Sequence, residues 1–236
     1  TPLCYDSESN WFITTCKQNG WAYTSASAPH YQFNTPEAAA WLDELAGYYS
    51  EGLFTTQEIY GSYSSNLFVK GPADGGTIFS IGSSAGASYQ KSDKFKWAVA
   101  PIPGSYVNGE VVNAAISQGP SLCLFDQKDD AVEAAAWQFV KFLLTSADFQ
   151  AEFSMASGYV PVISSVGNNP TYKTMFLETA DGYDGVAALS ALKCLEMRDA
   201  YYTSPAFNGS SKARDEVGLI VGEDNPGSMV LGVSPL

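Results

Sequence analysis

From Asn34 onward the polar and apolar positions fall into recognisable periods. Asn34-Thr35-Pro36-Glu37 reads as a helix opening, with Thr35 as N-cap, Pro36 at the first helical position and an acid in the first turn. Ala38, Trp41, Leu42, Leu45 and Tyr49 then recur at helical spacing to about Ser50, and Gly52 supplies the stop. Before this helix the chain reads as a loop-like start. After it, Thr77-Ile78-Phe79-Ser80-Ile81 is a short apolar run between Gly75-Gly76 and Gly82-Ser83-Ser84-Ala85-Gly86, the pattern of a buried strand with a small-residue exit loop. Trp97-Ala98-Val99-Ala100, closed by Pro101-Ile102-Pro103-Gly104, and Ser121 to Phe125 read as two more strands.

From Asp129 the period returns to that of a helix. Ala131, Ala135, Phe139, Phe142 and Leu143 share one face, and Trp137, close to that stripe, is expected in the core. Ser146-Ala147-Asp148 opens a second helix with Phe149, Phe153 and Met155 as apolar contacts, and Gly158 ends it before Tyr159-Val160-Pro161-Val162. Further helices are expected from about Val186 to Asp199 and from about Ser211 to Val221. Strands alternating with helices predict an α/β architecture with a mixed or parallel sheet, and ligands of such folds bind at loops on the carboxyl ends of strands. No repeat or long low-complexity linker divides the chain into independent domains.

The 236 residues are 45% hydrophobic, enough for a sizeable core. Against 12 Lys plus Arg stand 25 Asp plus Glu, a formal net charge of -13, so the surface field repels nucleic acid and anionic lipid. No stretch approaches the roughly 20 apolar residues that span a bilayer. Because Thr1 is not preceded by a basic-then-apolar leader, the chain reads as a processed form or a fragment. Cys4, Cys16, Cys123 and Cys194 form no C-x-x-C pair, and His30 is the only imidazole, so no metal site or cofactor is expected. Cys4 and Cys16 are the candidate pair for a disulfide in an oxidising compartment, while Cys123, inside an apolar run, reads as a buried small hydrophobe. The 14 Tyr and 5 Trp are a surplus of flat amphipathic rings, suited both to core packing and to stacking on the faces of sugars.

Gly82-Ser83-Ser84-Ala85-Gly86 satisfies G-x-S-x-G directly after an expected strand, the context of a nucleophile elbow. A hydrolase of that type needs a His downstream of its Ser, and His30 lies upstream of Ser84. A serine hydrolase at Ser84 is therefore the alternative, and no catalytic residue is assigned. The preferred reading makes the loop a polar cradle of exposed amides and two hydroxyls. No carboxylate pair stands out for glycoside hydrolysis. Asp181-Gly182-Tyr183-Asp184-Gly185 lacks the alternating ligands of an EF-hand, and Gly71 to Gly76 lacks the Lys-Ser/Thr of a P-loop.

Several segments, taken in order, resemble the solute-binding proteins of ABC transporters, in the family 1 branch of maltose- and glycerol-3-phosphate-type receptors. They are Phe33-Asn34-Thr35-Pro36-Glu37-Ala38 through Glu51-Gly52-Leu53, Thr77 to Ser84, Phe95 to Gly104, Ser117-Gln118-Gly119, Ala136 to Leu143, and Ser157-Gly158-Tyr159-Val160-Pro161-Val162. The resemblance implies a lobe like those of type II periplasmic binding proteins, a mixed sheet flanked by helices. It also implies a fragment lacking most of the first lobe: residues 1–125 as second-lobe α/β portion with the hinge entry, 126–168 as a helical excursion associated with the first lobe, and 169–236 as the return to the second. The implied function is capture of a sugar or sugar-like solute, a saccharide or polyol, outside the cell and delivery to the permease. The implied membrane link is a lipid anchor outside this chain. The ligand contacts it carries over are Ser83, Ser84, Gly119, Tyr159 and Asn208. The glycerol phosphate branch places an Arg shortly after a Pro near the C-terminal end, and Ser204-Pro205-Ala206-Phe207-Asn208 has none at that spacing.

Overall fold

The computed structural model describes residues 1–126 and 128–222. The loop-like start is in fact structured. β1 (Leu3–Tyr5) leads into α1 (Glu8–Asn19), and β1 is the central strand of a parallel sheet of order β2-β1-β3, with β2 at Phe54–Thr56 and β3 at Phe79–Ile81. Cys4 pairs with Thr55 on one side and Ser80 on the other. Cys4 and Tyr5 are buried, as befits a strand covered on both faces. Among the described residues β3 has one neighbouring strand, so the buried strand expected at 77–81 is instead a short edge strand, with Ile78 and Phe79 exposed.

α2 (Pro36–Ser50) forms where the pattern places it. Thr35 Oγ accepts from the Ala38 amide, and Ala38, Leu42 and Leu45 are buried. These side chains join Phe12, Ile13, Cys16, Phe54 and, from α8 (Ser210–Gly222), Val217 and Val221 in the main core. Trp11 cements it: its ring stacks on Tyr5 at 4.8 Å and meets Phe54 edge-on at 5.0 Å. Two short helices, α3 (Gln57–Tyr60) and α4 (Ser64–Phe68), follow β2.

Neither of the other two expected strands forms a ladder. Phe95, Trp97 and Val99 alternate, half-buried, with exposed Lys96, Ala98 and Ala100, so the pattern is that of a strand. Pro101 and Pro103 follow at once, however, and proline removes the donors a ladder needs. Residues 121–125 are exposed and belong to no strand, so Cys123 is exposed and not a core residue. The strands that do form here are the hairpin β4 (Ser105–Val107) and β5 (Glu110–Val112), and the parallel pair β6 (Ala115–Ile116) and β7 (Tyr201–Tyr202). The hairpin turns on Asn108-Gly109, both at positive φ, the pairing that matches the right-handed twist of its strands.

α5 (Asp130–Thr145) begins at the Asp129 N-cap, and α6 (Ala147–Ser157) runs from the Ser146 N-cap to Gly158 in the left-handed region. α6 packs with α7 (Gly185–Glu196) and the π-helical turn Thr171–Glu178 around a second core of Ala151, Val166, Tyr172, Phe176 and Ala187. α5 contributes no buried residue. Its Phe142 ring meets Phe149 of α6 at 5.5 Å, but Phe139 and Trp137, the latter 49% exposed, face outward. The expected core position of Trp137 is thereby overturned: the apolar stripe exists, but α6 meets it at Phe142 and leaves Trp137 and Phe139 exposed.

Two outcomes follow from this burial. Trp137→Ala should cost less than about 1 kcal/mol in urea unfolding, against the ~3–5 kcal/mol of a core Trp truncation; a loss in the core range would contradict the exposed position. Cys4 and Cys16 are buried and unbridged, and burial pushes both thiols up from 9.0 to about 12, nearby Asp6 and Glu8 adding to the shift at Cys4. The folded state thus holds protons that the unfolded chain releases, so this stability is complete below about pH 9 and is lost as pH rises towards 12. With Ellman's reagent at pH 8, Cys123 should react at once, and Cys4 and Cys16 only on unfolding; equal rates for the four thiols would refute the burial.

Candidate functional site

All three parallel strands end at one edge of their sheet. Behind β1 comes Asp6-Ser7 at the start of α1, behind β2 comes α3, and behind β3 comes Gly82-Ser83-Ser84. Asp6 ties two of these exits together. Its amide donates to Ile81 O at 2.8 Å, and its Oδ1 accepts from the Ser64 amide at 2.6 Å. A Cβ at Gly82 would lie 2.8 Å from Asp6 Oδ2, so only glycine lets the β3 exit approach this closely. Burial raises the Asp6 pKa and the Glu8 charge adds to that, while the hydrogen bonds from Ser64 oppose it. Glu8 joins the third exit by accepting from the Glu58 amide at 2.7 Å.

A second loop meets the β3 exit. Gly158, at φ 78°, closes α6 so near the Ser83-Ser84 turn that a Cβ there would be 2.7 Å from the Ser84 carbonyl oxygen. Ser83 Oγ accepts from the Ala85 amide at 3.3 Å and caps the 3-10 helix Ser84–Gln90. Tyr159 follows Gly158, 39% exposed, its ring stacked on Phe153 at 6.1 Å. The structure therefore brings Ser83, Ser84 and Tyr159 to one place, from segments about 75 residues apart in the sequence.

A third loop, Ser117-Gln118-Gly119, leaves β6. Gln118 Oε1 accepts from Asn10 Nδ2 at 2.8 Å, and Asn10 Oδ1 in turn accepts from the Arg214 guanidinium. Since Asn10 lies in the first turn of α1, exposed Gly119 is moored to the same helix start that follows Asp6. Asn208 is placed differently. It is exposed in the turn before α8, where Phe207 stacks on His30 and meets Tyr31 edge-on, and among the described residues no hydrogen bond joins it to Ser84 or Tyr159.

Sequence reasoning missed Asp6, Asn10 and Arg214. The signal for the first two was present: Asp6-Ser7-Glu8 followed by Trp11-Phe12-Ile13 is a polar, acidic helix opening before an apolar run. Arg214 carried no local signal, because its neighbours come from α1 and from β7.

The G-x-S-x-G match finds no base. His30 is held by the Phe207 ring at 4.8 Å and by a 3.0 Å contact between Nδ1 and the Ser25 carbonyl, and no contact links it to Ser84 among the described residues. A concavity of about 760 Å³ lies elsewhere, between α1, α2 and the start of β4, and is lined in part by Trp11, Trp21, Trp41 and Glu44. None of the expected site residues lines it. It is wide open, and its Trp11 and Trp41 rings already pack on each other at 5.9 Å, so the strand-exit edge is the better-built site. Among the described residues no cluster of three or more His, Cys, Asp or Glu side chains is arranged to hold a metal ion. No helix there is long and apolar enough to cross a membrane.

A comparison with curated proteins finds no match. The family described as bacterial extracellular solute-binding protein matches residues 3–177, which takes in all three parallel strands, the Ser83-Ser84 exit, the Gln118-Gly119 turn and the Gly158-Tyr159 loop. With a parallel sheet flanked by helices and its polar loops gathered at the carboxyl edge, the chain belongs to the bacterial extracellular solute-binding proteins.

Proposed function

We propose that the protein captures a saccharide or polyol outside the cell and delivers it to the permease of an ABC importer, without catalysis. The observation that carries this reading is the abutment of the Ser83-Ser84 exit and the Gly158-Tyr159 loop. It combines two hydroxyls and an accessible aromatic face, the combination that hydrogen-bonds a sugar's rim and stacks on its face. Gly119 and Asn208 would contribute from the flanking turns. Within the family we favour the maltose- and glycerol-3-phosphate-type branch, and a lipid anchor outside this chain as the membrane link.

We further propose that residues 126–168 are an excursion that packs against a first lobe, with 1–125 and 169–236 forming the second; residues 127 and 223–236 lie outside the described residues. Support comes from α5, whose outward Trp137, Phe139 and Phe142 suit burial against a further domain. Closure of such lobes on the solute would select the bound state and shield the hydrogen bonds from water.

Calorimetry with a panel of mono- and oligosaccharides and polyols, on protein carrying both lobes, tests the reading. Tyr159→Ala should weaken binding by about 1–3 kcal/mol with little effect on folding; wild-type affinity in that variant would remove Tyr159 from the site. Gly158→Ala places a Cβ against the Ser84 carbonyl at positive φ and should both destabilise the fold, by about 1–2 kcal/mol, and weaken solute binding. A Gly158→Ala protein with unchanged affinity would show that the contact between the two loops has no part in binding.

A further inference from the structure

Arg214 stands out in an acidic protein. It lies on the second turn of α8, half-buried, and among the described residues no carboxylate comes within ion-pairing distance of it. Its one hydrogen bond among the described residues goes to a neutral acceptor, Asn10 Oδ1. Burial lowers its pKa from the ordinary guanidinium value. A guanidinium that is partly withdrawn from water has five donors to share, and a planar or tetrahedral oxyanion matches them.

The side chain lines a cavity of about 160 Å³ between α1, the 24 and 204–206 segments and the start of α8. Two hydroxyls in the cavity wall, Ser204 Oγ and Thr24 Oγ1, are themselves buried and have no hydrogen-bond partner. Ser210 and Ser211, in the first turn of the 13-residue helix α8, complete the polar wall. The cavity thus gathers a cation, two orphaned hydroxyls and the positive end of a helix, whose first amides lack intrahelical partners. Its volume suits a phosphate, sulfate or carboxylate group and little more.

We infer that the cavity formed by Arg214, Ser204, Thr24 and the start of α8 is a binding site for a small oxyanion, either free or carried as the anionic group of a solute. The missing Arg after Pro205 does not argue against this, because Arg214 approaches Ser204 and Pro205 through space from the following helix. The inference is independent of the saccharide reading. Through Asn10 the site is two hydrogen bonds away from Gln118, so anion occupancy and the Gln118-Gly119 turn are physically connected.

The test is thermal shift and calorimetry of the whole protein with inorganic phosphate and sulfate against chloride at constant ionic strength. Glycerol phosphate and a sugar phosphate serve as the carried-anion arm. Phosphate at about 10 mM should raise Tm by several degrees where chloride does not. Ser204→Ala and Thr24→Val, which remove the hydroxyls and leave the guanidinium, should each weaken binding severalfold. Arg214→Gln should abolish it, and retained circular dichroism in that variant shows that the fold is intact. If the organic phosphates bind at least tenfold more tightly than inorganic phosphate, the anion is part of a solute; if the order is reversed, it is a free ion. The inference fails if no oxyanion shifts Tm beyond chloride, or if the shift survives unchanged in Ser204→Ala, Thr24→Val and Arg214→Gln alike.

Discussion

The parallel pairing of one three-residue strand with both of its neighbours is the constraint on which the remainder depends. Parallel strands cannot be joined by a hairpin, so each of the connections around Leu3–Tyr5 must cross over, and every strand exit emerges at the same edge. Asp6, the first residue beyond that strand, then holds the Ile81 carbonyl and the Ser64 amide while Gly82 passes close to its carboxylate. Small residues at 82–84 follow directly from this crowding. A larger residue at Gly82 would displace either Asp6 or the loop, and with it the Ser83 and Ser84 hydroxyls.

The surplus of aromatic rings serves two purposes that composition could not separate. Trp11, Phe12, Trp41 and Phe54 interlock edge-on, with Tyr5 stacked on Trp11, around α1, which lets a short sheet support a large core. Trp137, Phe139 and Phe142 lie outside any core, on a helix whose apolar stripe is as regular as that of α2. Both helices have the same kind of period. What distinguishes them is a partner: α2 rests on α1 and β2, whereas α5 is met by α6 at its flank and buries no residue.

Helix boundaries were legible because they rest on local chemistry. Thr35, Asp129, Ser146 and Gly158 each cap an end as their residue types require. The central strand was not legible, since three residues are too few to show a period and β1 is defined by its two neighbours. The stretch 95–99 carried a true alternation, yet prolines at 101 and 103 leave it without a ladder. Of the site, Ser83, Ser84 and Tyr159 were read from a family resemblance, and the fold brings the three together through the contact of Gly158 with Ser84. Asn208 is not joined to them. Asn10 and Arg214 escaped notice because their significance is a hydrogen bond across 204 positions of sequence.

Hydrogen–deuterium exchange with and without a solute identified by screening would locate the binding surface directly. The account predicts slowed exchange in peptides covering residues 6–10, 82–86, 117–119 and 158–160, with the α1–α2 groove around Trp21 and Glu44 unchanged. Protection confined to that groove, with the strand-exit loops unaffected, would contradict it.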